Sequence, residues 1–430
     1  MITNLKPYTA YKDSGVEWLG KVPAHWEFAP AKRALISESS GSAAIKNTAA
    51  NEPVAGYVPA FSASGQDVWL PEPTHNGEAL VLSAVGARCG KTFRAQGAWA
   101  VVANTHILWP RKAQSRDYWW YVTNQDGWWI RAGAAQPFVQ VRATLDRPWP
   151  LPPLPEQTAI VRFLDYMDRR IRRAIRAKQK LIKLLEEYKQ ALIHQAVTGQ
   201  IDVRTGKPYP AYKDSGVEWL GQVPAHWEVR RMCTVVRILV SNVDKHSREE
   251  EKPVRLCNYI DVYKRGKIRA DMNFMEATAS DEEIEKFRLQ PGDVLITKDS
   301  EIWNDIAVPA LVETSAPDLI SGYHMALLRP KQVIKGPFLF RTLQSPRVAY
   351  QFHVKANGVT RFGLSHNAIK SALLPLPPLL EQTAIAEYLD AQTAKLDAAI
   401  AAARREIELL REYRERLIAD VVTGKLDVRE

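Results

Sequence analysis

Two stretches of the chain carry apolar residues at helical spacing for far longer than an ordinary globular helix needs. In the first, Ile160, Leu164, Met167, Ile171 and Ala174 follow a 4,3,4,3 spacing, and after a shift of about one position Ile182, Leu185 and Leu192 continue the stripe. The second runs through Ile385, Leu389, Leu396, Ala399, Ile407, Leu410 and Leu417. Spacing of this kind, sustained with one irregularity, predicts a coiled-coil-like seam between long helices. Each run opens after a Pro-rich turn with Glu156-Gln157 or Glu381-Gln382 in the first turn, where the helix dipole favours an acid, and ends near Gly199 or Gly424. The predicted helices are therefore roughly 42 residues, or about 63 Å, long. Their matched stripes predict either antiparallel packing on each other, with approximate two-fold symmetry and the intervening bodies at opposite ends, or burial on a partner chain, and both can hold.

Between and before these helices the pattern shortens. Ala79–Val85 and Trp99–Ala103 read as strands, and Asp117–Arg131 as an aromatic-rich helix. Later, Asp293–Thr297, Ile306–Val312 and His324–Leu328 read as strands and Phe338–Lys355 as a helix. The fold class expected is α+β: two α/β bodies separated by two long antiparallel helices in a coiled-coil-like pair, with an internal pseudo-two-fold repeat.

The repeat is explicit in the residues. Positions 6–27, KPYTAYKDSGVEWLGKVPAHWE, return at 207–228 with changes only at Thr9/Pro210 and Lys21/Gln222, an offset of 201. PLPPLPEQTAI at 150–160 returns as PLPPLLEQTAI at 375–385, and VTGQIDVR at 197–204 as VTGKLDVR at 422–429, both at an offset of 225. The chain is thus two copies of one plan: an entry segment, a body, a Pro-rich turn, a long helix and an exit. The bodies, 28–149 and 229–374, share no comparable run of sequence. The expected boundaries are 1–149 for a first domain with its entry segment, 150–204 for a first helical spacer, 205–374 for a second domain and 375–430 for a second spacer.

Composition narrows the chemistry. The net charge of +10 and pI near 9.3 favour a polyanionic partner. Residues 161–190 hold 10 Lys/Arg against 4 Asp/Glu, whereas 386–416 hold 6 against 7, so the first helix faces either phosphates or the second helix. No apolar run approaches the length of a membrane span and the start MITNLKPYTAYKD has no leader pattern, which predicts a cytoplasmic protein without a membrane partner. Cys89, Cys233 and Cys257 are isolated and odd in number, which predicts buried thiols rather than a disulfide or zinc site.

Near the end of each body lies a loop rich in groups that match base edges: Arg131, Gln136, Gln140 and Arg142 in the first, Lys355, Asn357, Thr360 and Arg361 in the second. Arg pairs with guanine and Gln or Asn with adenine in the major groove, so these eight are the candidate DNA-binding residues. The alternative for each is a solvated polar loop. Eight of the 13 tryptophans lie in the first body, and Trp119, Trp120, Trp128 and Trp129 could stack on exposed bases but, at helical spacing, are expected in the core. Gly86 to Thr92, GARCGKT, has three residues between its glycines where a phosphate loop needs four, and a strand-like segment follows. His25 and His226 sit in matched PAHWE segments with no metal-ligand cluster, which predicts packing. Asp293 and Lys298 do not make a nuclease, and no methyltransferase, helicase or triad motif is present, so no catalytic residue, metal site or cofactor site is expected.

The doubled YKDSGVEWLG…VPAHWE entry, the doubled LPPL-x-EQTAI turn with its long helix and the VTG-x-[IL]-DVR exit resemble the specificity subunit of type I restriction–modification systems over nearly the whole chain. The resemblance implies that residues about 28–149 and 229–374 are target recognition domains, each reading half of a split asymmetric sequence in double-stranded DNA. It implies that the helices set the gap and dock two modification (methyltransferase) subunits, with restriction (translocase/endonuclease) subunits outside. S-adenosylmethionine, ATP and magnesium would belong to those partners, and this chain would be non-catalytic. GVTRFGLS at 358–365 looks like the family's loop near DNA, while AAQPFVQVRATL in the first body departs from it. The competing class is a scaffold that binds no DNA and organises protein partners through its helical pair.

Overall fold

The computed structural model describes residues 6–17, 19–40 and 49–429, so that Trp18 of the first entry segment, together with 1–5, 41–48 and 430, lies outside the described residues. The chain packs as two compact units, Met1–Lys178 with Arg405–Glu430, and Gln179–Arg404. Each contains one body and one end of both long helices.

In the first unit, Leu35–Ser39, Thr105–Pro110, Ala79–Ser83 and Thr92–Ala95 form a sheet in that order, all neighbours antiparallel. Ala79–Ser83 is buried throughout because both its faces are covered. Leu80 and Leu82 point to the core that holds Tyr118 and Trp119, whereas Ala79 and Val81 point to Phe61, Trp99 and Val101. That is the period-two alternation of a strand between two cores. A second sheet runs Gly65–Leu70, Val58–Ser62, Ala98–Val101, His75–Asn76.

The second unit repeats the sheet with unrelated residues. Its order is Val236–Val240, Met325–Pro330, Val294–Thr297, Pro309–Val312, with Lys267–Ile268 added in parallel at the last edge. Val294 and Ile296 face one core and Leu295 the other. Met275–Ala279, Lys252–Cys257 and Leu319–Ser321 make the companion sheet.

The long helices are Leu154–Val197 and Leu379–Val422, each of 44 residues, or about 66 Å at 1.5 Å per residue. They pack antiparallel in each unit. In the first, Ile160, Leu164 and Met167 share a core with Leu417, Ile418 and Val421, and Asp168 and Lys178 meet Arg414 and Glu406. In the second, Leu192, Ile193 and Ala196 share a core with Ile385 and Leu389, and Glu186 and Lys189 meet Arg404 and Asp397. The seam on the second helix runs through Ile400 and Ala403 instead of Ala399, which is exposed. With Ile407 this restores a 4,3,4 spacing from Leu396, the half-buried residue before it.

Several expected boundaries shift for local reasons. The helix expected over Asp117–Arg131 spans only Arg116–Thr123, because the Asn124 amide turns back to the Trp120 carbonyl and Gly127 follows at φ 77°. Trp128 and Trp129 therefore reach the core from a turn and are buried there with Trp119, while Trp120 is half-buried under Arg94. The helix expected over Phe338–Lys355 is two, Gly336–Leu343 and Pro346–His353, since Pro346 holds Ser345 in an extended conformation. Strands expected from Ile306 and His324 begin at Pro309 and Met325, because Ala307 and His324 have φ of 61° and 70°. Those expected through Val85 and Ala103 end at Ser83 and Val101. Cys89 and Cys257 are buried and Cys233 is half-buried.

Candidate functional site

Each unit is closed by a carboxylate knot built from the repeated segments. In the second unit Glu381, in the first turn of the long helix, accepts hydrogen bonds from Trp227 Nε1 at 2.9 Å and Tyr209 Oη at 3.2 Å, with His226 Nε2 at 2.8 Å and Arg204 at 3.5 Å. In the first unit Glu156 meets Trp26 at 2.8 Å, Tyr8 at 3.2 Å, His25 at 2.5 Å and Arg429 at 3.6 Å. The exit that supplies the arginine comes from the preceding copy in the second unit and from the last copy in the first. Burial, with the neighbouring glutamate second, pushes the Tyr8 and Tyr209 phenols far above their usual range. Arg429 and Arg204 hold Asp427 and Asp202 below theirs. His25 and His226 are thus packing and hydrogen-bonding residues.

Gly199 and Gly424 show why the exit needs glycine. Both stand at positive φ past the helix end, and a Cβ there would meet a proline Cδ of the VPAHW turn at 2.3 Å and 2.4 Å. The residue ends the helix and lets the turn approach its backbone.

The base-reading candidates fall on two hairpins of one design. In the first unit Arg131–Ala132 pairs with Phe138–Val139. The hairpin docks beyond the end of Ala79–Ser83, with Val139 N donating to Ala84 O at 2.9 Å and Phe138 opposite Val85. In the second unit Asn357 pairs with Gly363, Leu364 N donates to Lys298 O at 2.9 Å, and Gly363 lies opposite Asp299, beyond the end of Val294–Thr297. Short helices follow at Val141–Asp146 and His366–Lys370, then strands at Pro148–Leu151 and Leu373–Leu376.

The eight candidates divide. Gln136, Gln140 and Arg142, and in the other unit Thr360 and Arg361, are exposed and make no side-chain hydrogen bond or ion pair with a described residue. Lys355 is tied down, its Nζ donating to Ser371 Oγ at 2.9 Å, and the Asn357 amide donates to the Lys355 carbonyl at 3.2 Å. Arg131 leaves the hairpin face and lies over Gly90, with its guanidinium 2.9 Å from where a Cβ on that glycine would stand. There it joins Arg88 and Lys91 in lining a cleft of about 820 Å³ floored by Phe93 and Trp120. From the last residue of GARCGKT the chain runs as the strand Thr92–Ala95, not as a helix. In the sequence Lys91 figures only within the GARCGKT segment. Its place beside Arg131 is visible only once the hairpin is docked.

Among the described residues no group of three His, Cys, Asp or Glu side chains is placed to hold a metal ion. No helix among them is long and apolar enough to cross a membrane.

The family model described as type I restriction modification DNA specificity domain matches residues 224–409. Among curated proteins, the type I restriction enzyme MjaVIII specificity subunit of Methanocaldococcus jannaschii is 25% identical over 286 residues, 65% of this chain and 62% of that protein. The matched stretch therefore covers less than two thirds of that relative. The fold is similar to a chain solved for complex assembly and conformational transition of the type I R-M system, with TM-score 0.67, 15% identity and coverage of 93% of this chain and 98% of that one. It is also similar to the HsdS subunit from Thermoanaerobacter tengcongensis, with TM-score 0.53, 14% identity and coverage of 94% and 98%.

Proposed function

We infer that this chain, which belongs to the family of type I restriction–modification specificity subunits, binds double-stranded DNA by sequence, each unit reading one half of a split target. The observation that carries the reading is the duplicated frame. One knot, one strand order and one hairpin site are built twice, and the exposed polar residues offered at the two sites differ. A two-stranded ribbon fits the major groove, where side-chain amides and guanidinium groups distinguish base pairs. Gln136, Gln140, Arg142, Thr360 and Arg361 are the contacts proposed on the hairpins. Arg131 with Lys91 is proposed to neutralise phosphate, and Lys355 and Asn357 to brace the second hairpin.

Two modification subunits supply adenine methylation and bind S-adenosylmethionine, and restriction subunits supply ATP- and magnesium-dependent translocation and cleavage. This chain contributes recognition and no chemistry. The test is methylation mapping in cells that make the chain with a modification subunit. Methylated adenines confined to one asymmetric, interrupted sequence are expected. Methylation without regard to sequence, or duplex binding by the full chain that does not weaken as salt rises, overturns the reading.

A further inference from the structure

Gln136 and Arg361 occupy the same position in the two hairpins. The closing pairs are Ala132 with Phe138 and Asn357 with Gly363, six residues apart in each case. Val139 N and Leu364 N make the same hydrogen bond to the residue that follows the central strand, Ala84 or Lys298, one position past its end in both units. The hairpin positions themselves, Ala132 and Asn357, Gln136 and Arg361, Phe138 and Gly363, Val139 and Leu364, are each separated by 225 residues, the offset of the LPPL-x-EQTAI repeat. The short helices and the strands that follow keep the same offset, Val141 with His366 and Pro148–Leu151 with Leu373–Leu376. The repeated frame thus extends without a gap from the long helix back to the hairpin tip, although of residues 133–149 only Gly133 and Ala143 recur, as Gly358 and Ala368.

The shared glycine explains what the frame holds. Gly133 has φ 85° and Gly358 φ 146°, and a Cβ on either would fall 2.5 Å from Gln136 O or 1.9 Å from Arg361 O. Only glycine lets the turn close on the carbonyl of the residue three positions later, which fixes that residue's backbone. Its side chain is left exposed and without a hydrogen bond or ion pair to any described residue. A fixed backbone and an uncommitted head group are what a reading position requires, because little ordering remains to be done on binding. The two units place different groups there: an amide, whose donor and acceptor match adenine N7 and N6, and a guanidinium, whose paired donors match guanine O6 and N7.

We propose that Gln136 and Arg361 are matched base-reading positions, Gln136 selecting adenine in one half of the target and Arg361 guanine in the other, and that the two residues can be exchanged. The proposal rests on the DNA-reading function inferred above. Full-length chain carrying Gln136→Arg or Arg361→Gln is selected on a pool of duplexes with a randomised window, beside the unaltered chain. Gln136→Arg is expected to change one preferred base from adenine to guanine in one half-site and leave the other half-site intact. Arg361→Gln should make the reverse change in the other half-site, each by roughly 5- to 150-fold in relative affinity. Because both residues are exposed, unchanged melting temperatures are expected and separate this result from misfolding. Uniform weakening on all sequences, no change, or a change at several positions overturns the proposal while leaving the DNA-reading function in place. If the unaltered chain selects no sequence, the function itself falls, and the proposal with it.

Discussion

In the first unit the body helix Arg116–Thr123 is fastened to the long helix by Tyr121, whose phenol donates to Asp165 at 2.6 Å. In the second, 225 residues on, Asp390 accepts instead from Arg341 on the body helix Gly336–Leu343. Arg341 is only 5% exposed and also reaches Thr393 and Gln344. The frame thus offers one acceptor at one place, and each body answers with whatever donor its own sequence supplies. The knots are different in kind, since Glu156 and Glu381 gather the same four partner types at nearly the same distances. What is held constant is where a body attaches, and what is free is how.

The sharpest way to break that distinction is to remove the same tryptophan twice. Trp26→Ala and Trp227→Ala each delete a fully buried side chain from a knot, and each is expected to cost about 3–5 kcal/mol in urea unfolding followed by circular dichroism. A large cost at one site and little at the other would mean that the knots are alike in geometry only.

The body attachments should instead respond unequally. Asp390→Ala leaves a buried guanidinium without its carboxylate and is expected to cost about 3 kcal/mol. Asp165→Ala removes one hydrogen bond from a neutral phenol and a solvent-screened 3.9 Å contact with Arg94, and is expected to cost about 1 kcal/mol. Equal shifts in melting temperature would show that the two fastenings are interchangeable. The smallest expected effect concerns Lys91, which belongs to the first unit's cleft alone. Lys91→Ala should lower the slope of log affinity against log salt by about one unit and weaken all duplexes alike. A change in base preference would move Lys91 from the phosphate-contacting class to the reading class.

The long helices were legible because their apolar spacing persists over many turns and both ends carry stop signals. Even there the spacing points to Ala399 where Ile400 fills the seam, since an eight-residue step from Ala399 to Ile407 conceals which neighbour faces inward. The sheets were legible as strands but not as one shared order, because strand pairing depends on contacts remote in sequence and the two bodies satisfy it with unrelated side chains. Among the candidate readers, Lys355 and Asn357 matched the right chemistry in composition, yet local hydrogen bonds within and beside the hairpin engage them. The equivalence of Gln136 with Arg361 lay in the constant offset. It was missed because the hairpin's geometry needs only one glycine to be kept, and one residue is too small a sequence signal to set a register.

The first unit draws its core from residues near both ends of the numbering. Tyr8 and Trp26 close against Val421, Val422 and Val428, with Arg429 completing the knot. Translation delivers these partners about 400 residues apart, and domains generally fold in the order they emerge from the ribosome. Here that order is inverted: Tyr8 and Trp26 are made before the whole second unit and stay uncovered while that unit receives everything it needs. A pause in synthesis before residue 405 would prolong that exposure, because the closing half of the core lies beyond it.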